Sequence, residues 1–144
     1  MKHMKRFLTG LPILLYLLLN SGCDVSDDGA KYHFVPLQIT AVDMPESFQL
    51  NETYNISVTY LRPNECTGFQ GFDVISGESE DHTIRQVVAI GAEFEESPCE
   101  EINEELQANF QFICLYSKPY IFRFYTGEDE AGEPQYLEVE VAVY

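Results

Sequence analysis

Between Phe34 and Val143 one segment after another places apolar residues at every second position, and that period predicts strands. The clearest case is Tyr54, Ile56, Val58 and Tyr60, which alternate with Asn55, Ser57 and Thr59. Successive side chains of a strand point to opposite faces, so this segment predicts one buried face and one polar face. Leu106, Ala108, Phe110, Phe112 and Cys114 repeat the pattern against Gln107, Asn109 and Gln111. At the end of the chain Leu137, Val139, Val141 and Val143 are expected to face inward, with Glu138 and Glu140 facing water.

The remaining segments extend the same reading. His33 to Val42 alternates at Leu37, Ile39 and Ala41 and carries Pro36, which removes a ladder donor, so an edge strand is expected. Phe48 and Leu50 form a short paired step. Cys66 to Ile75 reads as a strand interrupted by Gly68 and Gly71, and Ser76 to Asp81 as a loop. Thr83 to Phe94 has Ile84, Val88, Ile90, Ala92 and Phe94 on one parity and Val87 and Ala89 on the other, which predicts a central strand buried on both faces. Glu100 to Gln107 permits a helical turn, since Ile102 and Leu106 are four apart and acids sit at its N-terminal end. Ser117-Lys118-Pro119 turns the chain into Tyr120 to Tyr125, and Gly127 to Pro134 turns it again. About seven to eight strands at spacings near ten residues describe an all-β, antiparallel β-sandwich.

The first 22 residues read differently. Lys2, His3, Lys5 and Arg6 precede the apolar run Phe7 to Leu19, and the small residues Ser21 and Gly22 follow, which is the three-part pattern of a signal peptide. A spanning helix needs about 20 apolar residues. This run has about 13 and contains Pro12, so secretion is the better reading.

Residues Leu19 to Cys23 resemble the lipobox of bacterial lipoproteins, although Asn20 occupies the place where that family usually has Leu. The resemblance implies cleavage after Gly22 and a diacylglycerol on the thiol of Cys23. Two or three acyl chains would then hold the protein to a membrane where one would not. The tether Asp24 to Gly29 is acidic. It resembles the export signal that sends Bacteroidota lipoproteins to the outer face of the outer membrane, while Asp at the position of Asp24 also resembles the inner-membrane retention signal of enterobacterial lipoproteins. The expected organisation is a signal peptide over residues 1–22, a lipidated Cys and tether over 23–31, and a β-sandwich over 32–144.

The stretch from Lys118 to Val143, an aromatic strand, an acidic hairpin and an alternating last strand, resembles the ending of immunoglobulin-like domains in bacterial surface proteins. The chain from Cys23 onward is also similar to small uncharacterised Bacteroidota lipoproteins. That similarity implies a location and no activity.

Composition narrows the partners. The formal charge is −16, and removal of residues 1–22 with Lys2, Lys5 and Arg6 takes it to −19. The remaining cations, Lys31, Arg62, Arg85, Lys118 and Arg123, are scattered, whereas a nucleic-acid binder needs a clustered basic face. Nucleic acid is therefore excluded as a partner. Such a charge keeps a domain soluble and leaves cationic ligands or divalent metals as charged partners.

Setting Cys23 aside leaves Cys66, Cys99 and Cys114, an odd number outside the cytoplasm. Cys66 and Cys99 lie in polar loops, and Cys114 lies on the apolar face of a strand. A Cys66–Cys99 disulfide is expected, closing a loop of about 34 residues and contributing roughly 3.7 kcal/mol in the chain-entropy treatment. Cys114 is then a buried small hydrophobe.

No motif specifies a reaction. His33 and His82 stand alone, without metal-ligand spacing, and no nucleophile elbow is present. The acidic stretches Glu93 to Glu105 and Glu128 to Glu133 are rich enough in carboxylates to consider calcium, but neither follows a D-x-D-x-D-G loop. Asn51-Glu52-Thr53 and Asn55-Ile56-Ser57 fit a eukaryotic glycosylation acceptor and are chance matches behind a bacterial lipobox. The sequence therefore points to a non-enzymatic, lipid-anchored envelope module for binding, adhesion or accessory work, with no cofactor and an unidentified protein or glycan partner. The competing readings are a secreted hydrolase, or a subunit of one, using acidic loop residues, and a purely structural envelope lipoprotein. A periplasmic face is the alternative to surface exposure.

Overall fold

The computed structural model describes residues 29, 31–77, 82–95 and 98–144. Cys23, the segment before it and the acidic residues Asp24, Asp27 and Asp28 lie outside the described residues, as does part of the loop expected from Ser76 to Asp81.

Among the described residues nine strands form two packed sheets: β1 (Tyr32–Leu37), β2 (Ile39–Asp43), β3 (Ser47–Phe48), β4 (Thr53–Asn64), β5 (Thr67–Ser76), β6 (Ile84–Phe94), β7 (Glu101–Ile113), β8 (Tyr120–Glu128) and β9 (Pro134–Val143). The larger sheet runs β1-β6-β8-β9-β3, with β5 on the other side of β6. The smaller sheet runs β2-β4-β7. Most neighbours are antiparallel, but β6 pairs with β8 and β3 with β9 in parallel.

The expected edge strand from His33 to Val42 is two strands that change sheets at Gln38. β1 pairs with β6, and β2 pairs with β4. Leu37 and Ile39 flank the crossing, and both are buried. The ladder of β2 shifts register between Ile39 and Ala41, which turns Ala41 outward and lays Val42 against the core instead. A bulge of this kind flips every later side chain.

The acidic segment expected to permit a helical turn is strand from Glu101 onward. Its partner β4 offers a long, continuous edge, and the ladder runs from Thr53↔Ile113 to Asn64↔Glu101. An irregularity between Arg62 and Asn64 accommodates Pro63, which has no N–H, opposite Asn103 at φ 48°.

Aromatic rings fill the space between the layers. Phe48, fully buried, lies with its ring centroid 4.6 Å from Tyr54, 5.0 Å from Phe112 and 6.0 Å from both Tyr120 and Phe122. Phe112 meets Tyr120 and Phe122 edge to face at 4.9 and 5.1 Å. These are the offset and T-shaped geometries that ring quadrupoles favour. Toward the other end Tyr60 stacks on Phe69 at 4.6 Å, and Phe72 joins Phe69 to Phe110. Tyr54, Ile56, Val58 and Tyr60 face this core as the alternation requires, as do Leu106, Ala108, Phe110, Phe112 and Cys114. Leu50 is instead exposed.

Strand β6 is central. It pairs with β5 along one edge, and with β8 and then β1 along the other. Its core face carries Val87, Ala89 and Gly91, whereas Val88 and Ile90 are half-buried on the outer face. Leu137 also departs from expectation and is 41 % exposed. β3 flanks only Ala142 and Val143, so among the described residues the first half of β9 borders no further strand on that side.

Candidate functional site

Pairing across β1 and β6 places Tyr32, Phe34 and Pro36 on the same outer face as Phe94, Ala92 and Ile90. Tyr32 and Phe34 are 51 % and 64 % exposed, and the Tyr32 ring centroid lies 5.5 Å from Phe34 and 5.6 Å from Phe94. Opposite Ala92 and Ile90 the edge strand β5 places Gly68 and Gly71. A Cβ at either glycine would meet nothing within 4 Å, so the sheet surface is open here. The result is a groove of about 430 Å³ lined by Phe34, Gln70, Gly71, Phe72, Asp73 and Ile90. Gly71 sits at φ 149° where the β5 register shifts, a bulge conformation that a side chain would strain. This groove offers an apolar floor, aromatic faces and one carboxylate. It is suited to holding a flat or apolar group, and it presents no nucleophile with a base beside it.

No sequence motif marks this groove. Its trace is that Tyr32 and Phe34 share the parity opposite to Val35 and Leu37, which face inward. Two aromatics on the non-core parity of one short strand were the available signal.

A second concavity, about 530 Å³, lies at the end of the sandwich between Arg62, Glu65, Ile102 and Glu104. Hydrogen bonds hold its walls. Arg62 donates from Nε to the Thr67 carbonyl and from Nη2 to the Glu65 carbonyl, both at 2.8 Å, and its Nη1 is 3.8 Å from Glu104. Thr67, almost fully buried, donates to Asn64, and Asn64 donates to Glu93 at 3.0 Å. His33 approaches Glu93 at 3.5 Å. Arg62 is thus committed to the turn between β4 and β5, and its polar neighbours bond to one another.

The disulfide Cys66–Cys99 fastens the same end, with Cα atoms 5.7 Å apart and the two cysteines 33 positions apart in sequence. It joins the β4–β5 turn to the segment leading into β7. Backbone hydrogen bonds run alongside, from Phe94 N–H to the Cys66 carbonyl and from Glu65 N–H to the Glu100 carbonyl, each 3.0 Å. Cys114 is buried with its thiol free and lies 3.6 Å from the Tyr116 carbonyl. Burial pushes that thiol above its ordinary pKa, which disfavours the thiolate.

The described residues of the two acidic stretches do not gather ligands. Among the described residues no group of three or more His, Cys, Asp or Glu side chains is placed to hold a metal ion. In the β8–β9 hairpin the Asp129 carboxylate accepts hydrogen bonds from the N–H groups of Ala131 and Glu133 and from the Gln135 amide. It closes its own turn, the usual employment of such a residue. His33 and His82 lie at opposite ends of β6. His33 stands opposite Glu93, and His82 precedes Ile84 with its ring 5.9 Å from that of Tyr116. They share no site.

No family model matches this chain, and neither the curated proteins nor the solved structures contain a match to it.

Proposed function

We propose that this chain is a lipid-anchored lipoprotein of the bacterial cell envelope, whose β-sandwich acts as a non-enzymatic binding or accessory module at the outer face of the outer membrane. The observation that carries the reading is the apolar run that ends in Ser21-Gly22-Cys23. Cleavage there would leave the thiol of Cys23 as the acyl acceptor, nine residues before the first strand at Tyr32. The domain would then stand close to the lipid surface, and the exposed aromatics Tyr32 and Phe34 belong to that first strand. A groove with stacking surfaces and no reactive pair supports binding rather than turnover.

The immunoglobulin-like version of the sandwich belongs to the same proposal. It is supported by the parallel pairing of β3 with β9, by the β8–β9 hairpin, and by Tyr120, which opens β8 and accepts hydrogen bonds from backbone N–H groups just upstream, as a tyrosine corner does. The parallel β6–β8 pair departs from the fully antiparallel pattern.

The test is Cys23→Ser in the full chain, followed by membrane fractionation and intact-mass measurement. The expected result is loss from the membrane fraction and an unprocessed or unacylated mass. A Ser variant that stays with membrane at the processed mass would overturn the lipoprotein reading. Protease added to intact cells should remove the domain. Digestion only after lysis would place it in the periplasm.

A further inference from the structure

We infer that β7 is the pairing edge for a second copy of this chain, joined antiparallel about a two-fold axis at Asn109.

Among the described residues, strand β7 has β4 on one side and no strand on the other. Its inner bonding pattern follows from the end of the ladder. Cys114 N–H donates to the Glu52 carbonyl, and Asn51 N–H donates to the Cys114 carbonyl. Antiparallel bonding alternates, so Phe112, Phe110, Ala108 and Leu106 turn their backbone groups toward β4. On the far side of β4, Leu61 N–H donates to the Gln38 carbonyl, which is the parity this pattern demands. The backbone donors and acceptors of Glu105, Gln107, Asn109, Gln111 and Ile113 therefore point to the open edge. Native proteins usually blunt such an edge with charge, Pro or a bulge. From Leu106 to Ile113 this one has none of these.

The edge is self-complementary. A two-fold at Asn109 pairs Asn109 with its own copy, Gln107 with Gln111, and Glu105 with Ile113, and every one of these has outward backbone groups. Amide side chains oppose amide side chains on the solvent face. On the core face Phe110 meets Ala108, and Leu106 meets Phe112. Leu106, Ala108 and Phe110 are only partly buried in the single chain, whereas Phe112 is 6 % exposed, so the added strand would cover apolar surface that is now half open.

Charge selects this arrangement over the alternatives. Glu101, Glu104 and Glu105 crowd one end of β7. Parallel in-register pairing would set each acid beside its own copy, which is destabilising. In the antiparallel arrangement they lie against the uncharged Ile113 to Ser117 end of the partner. Moving the axis to Gln107 would instead put Glu104 opposite Phe110 on the core face. Long-range repulsion between two acidic bodies is screened beyond about 8 Å at physiological ionic strength. The contact is isologous and closes at two copies.

The test is site-directed crosslinking in the full chain. With Asn109→Cys the two thiols sit on one bonded pair with Cα atoms about 5.5 Å apart, inside disulfide range. With Gln107→Cys the two copies of that residue are four positions out of register, about 14 Å apart, and cannot bridge. Mild oxidation of Asn109→Cys is expected to give a band at twice the mass of the reduced chain on a non-reducing gel, with none from Gln107→Cys or the parent. Asn109→Pro removes one outward donor that the single chain does not use. It is expected to halve the sedimentation mass while keeping the Cys66–Cys99 bridge. No crosslink at position 109, equal crosslinking at 107, or a folded Asn109→Pro chain that still sediments as a dimer would each overturn the inference.

Discussion

The hydroxyl of Tyr120 accepts hydrogen bonds from the backbone N–H groups of both Leu115 and Tyr116, each at 3.1 Å, while its ring is fully buried between the sheets. One side chain thereby satisfies two donors of the β7–β8 connection, and it also touches Phe48 and Phe112 across the core. Arg85 covers the ring from 5.4 Å. Tyr120→Phe keeps the packing and removes the acceptor. Leaving part-buried donors unpaired costs about 1–3 kcal/mol. Chemical denaturation should show that loss with an unchanged slope, and a change below about 0.5 kcal/mol would deny the hydroxyl its structural role.

The Cys66–Cys99 bridge closes the one end of the sandwich where the β4–β5 turn meets the start of β7. Non-reducing peptide mapping is expected to return this linkage alone. Its removal by paired Ser substitution should cost about 2–5 kcal/mol, the usual range for a small exported domain. A crosslink from either residue to Cys114 in the mapped protein would contradict the assignment.

Cys114 should be silent toward thiol reagents in the native protein. It is fully buried, and its pKa is raised by that burial, so little thiolate exists and none is reachable. Labelling at Cys114 is expected only after unfolding, which makes it a reporter of global opening. Fast labelling without denaturant would show that the end of β7 opens locally.

Gly91 lies on the core face of β6 because nothing larger fits. A Cβ there would stand 2.8 Å from Thr67 Cγ2 and 3.1 Å from a Leu37 methyl, and both neighbours are buried. Gly91→Ala should cost about 1–3 kcal/mol through overpacking. Gly68, on the same pair of strands with open space above it, is the comparison. Gly68→Ala should stay within about 0.5 kcal/mol.

Alkaline pH should destabilise the fold. Burial raises the pKa of Tyr60 and Tyr125 above the ordinary 10.0, and that of Cys114 above 9.0. The unfolded chain therefore releases these protons first as pH rises. The stability these groups contribute is complete below about pH 9 and falls as pH climbs through 10 and beyond. Urea midpoints measured from pH 8 to 11 should decline over that interval. A flat profile would mean that the phenols ionise freely in the native state.

Much of this architecture was legible in the residues, because burial on one face of a strand imposes a period of two. The inward faces of β4 and β7 follow directly from Tyr54, Ile56, Val58 and Tyr60, and from Leu106 to Cys114. The disulfide partners were also legible, since two of the three thiols outside residues 1–23 sat in polar turns and the third on an apolar face. The period says which way a side chain points and is silent on which strand lies beside it. Tertiary structure alone decided that the chain crosses between sheets at Gln38, that β6 lies parallel to β8, and that β6 turns Val87 and Ala89 rather than Val88 and Ile90 to the core. The same holds for the outer groove. Phe34, Gly71 and Ile90 come from three strands spread over more than fifty residues, and only the closing of β1 and β5 onto β6 places them side by side.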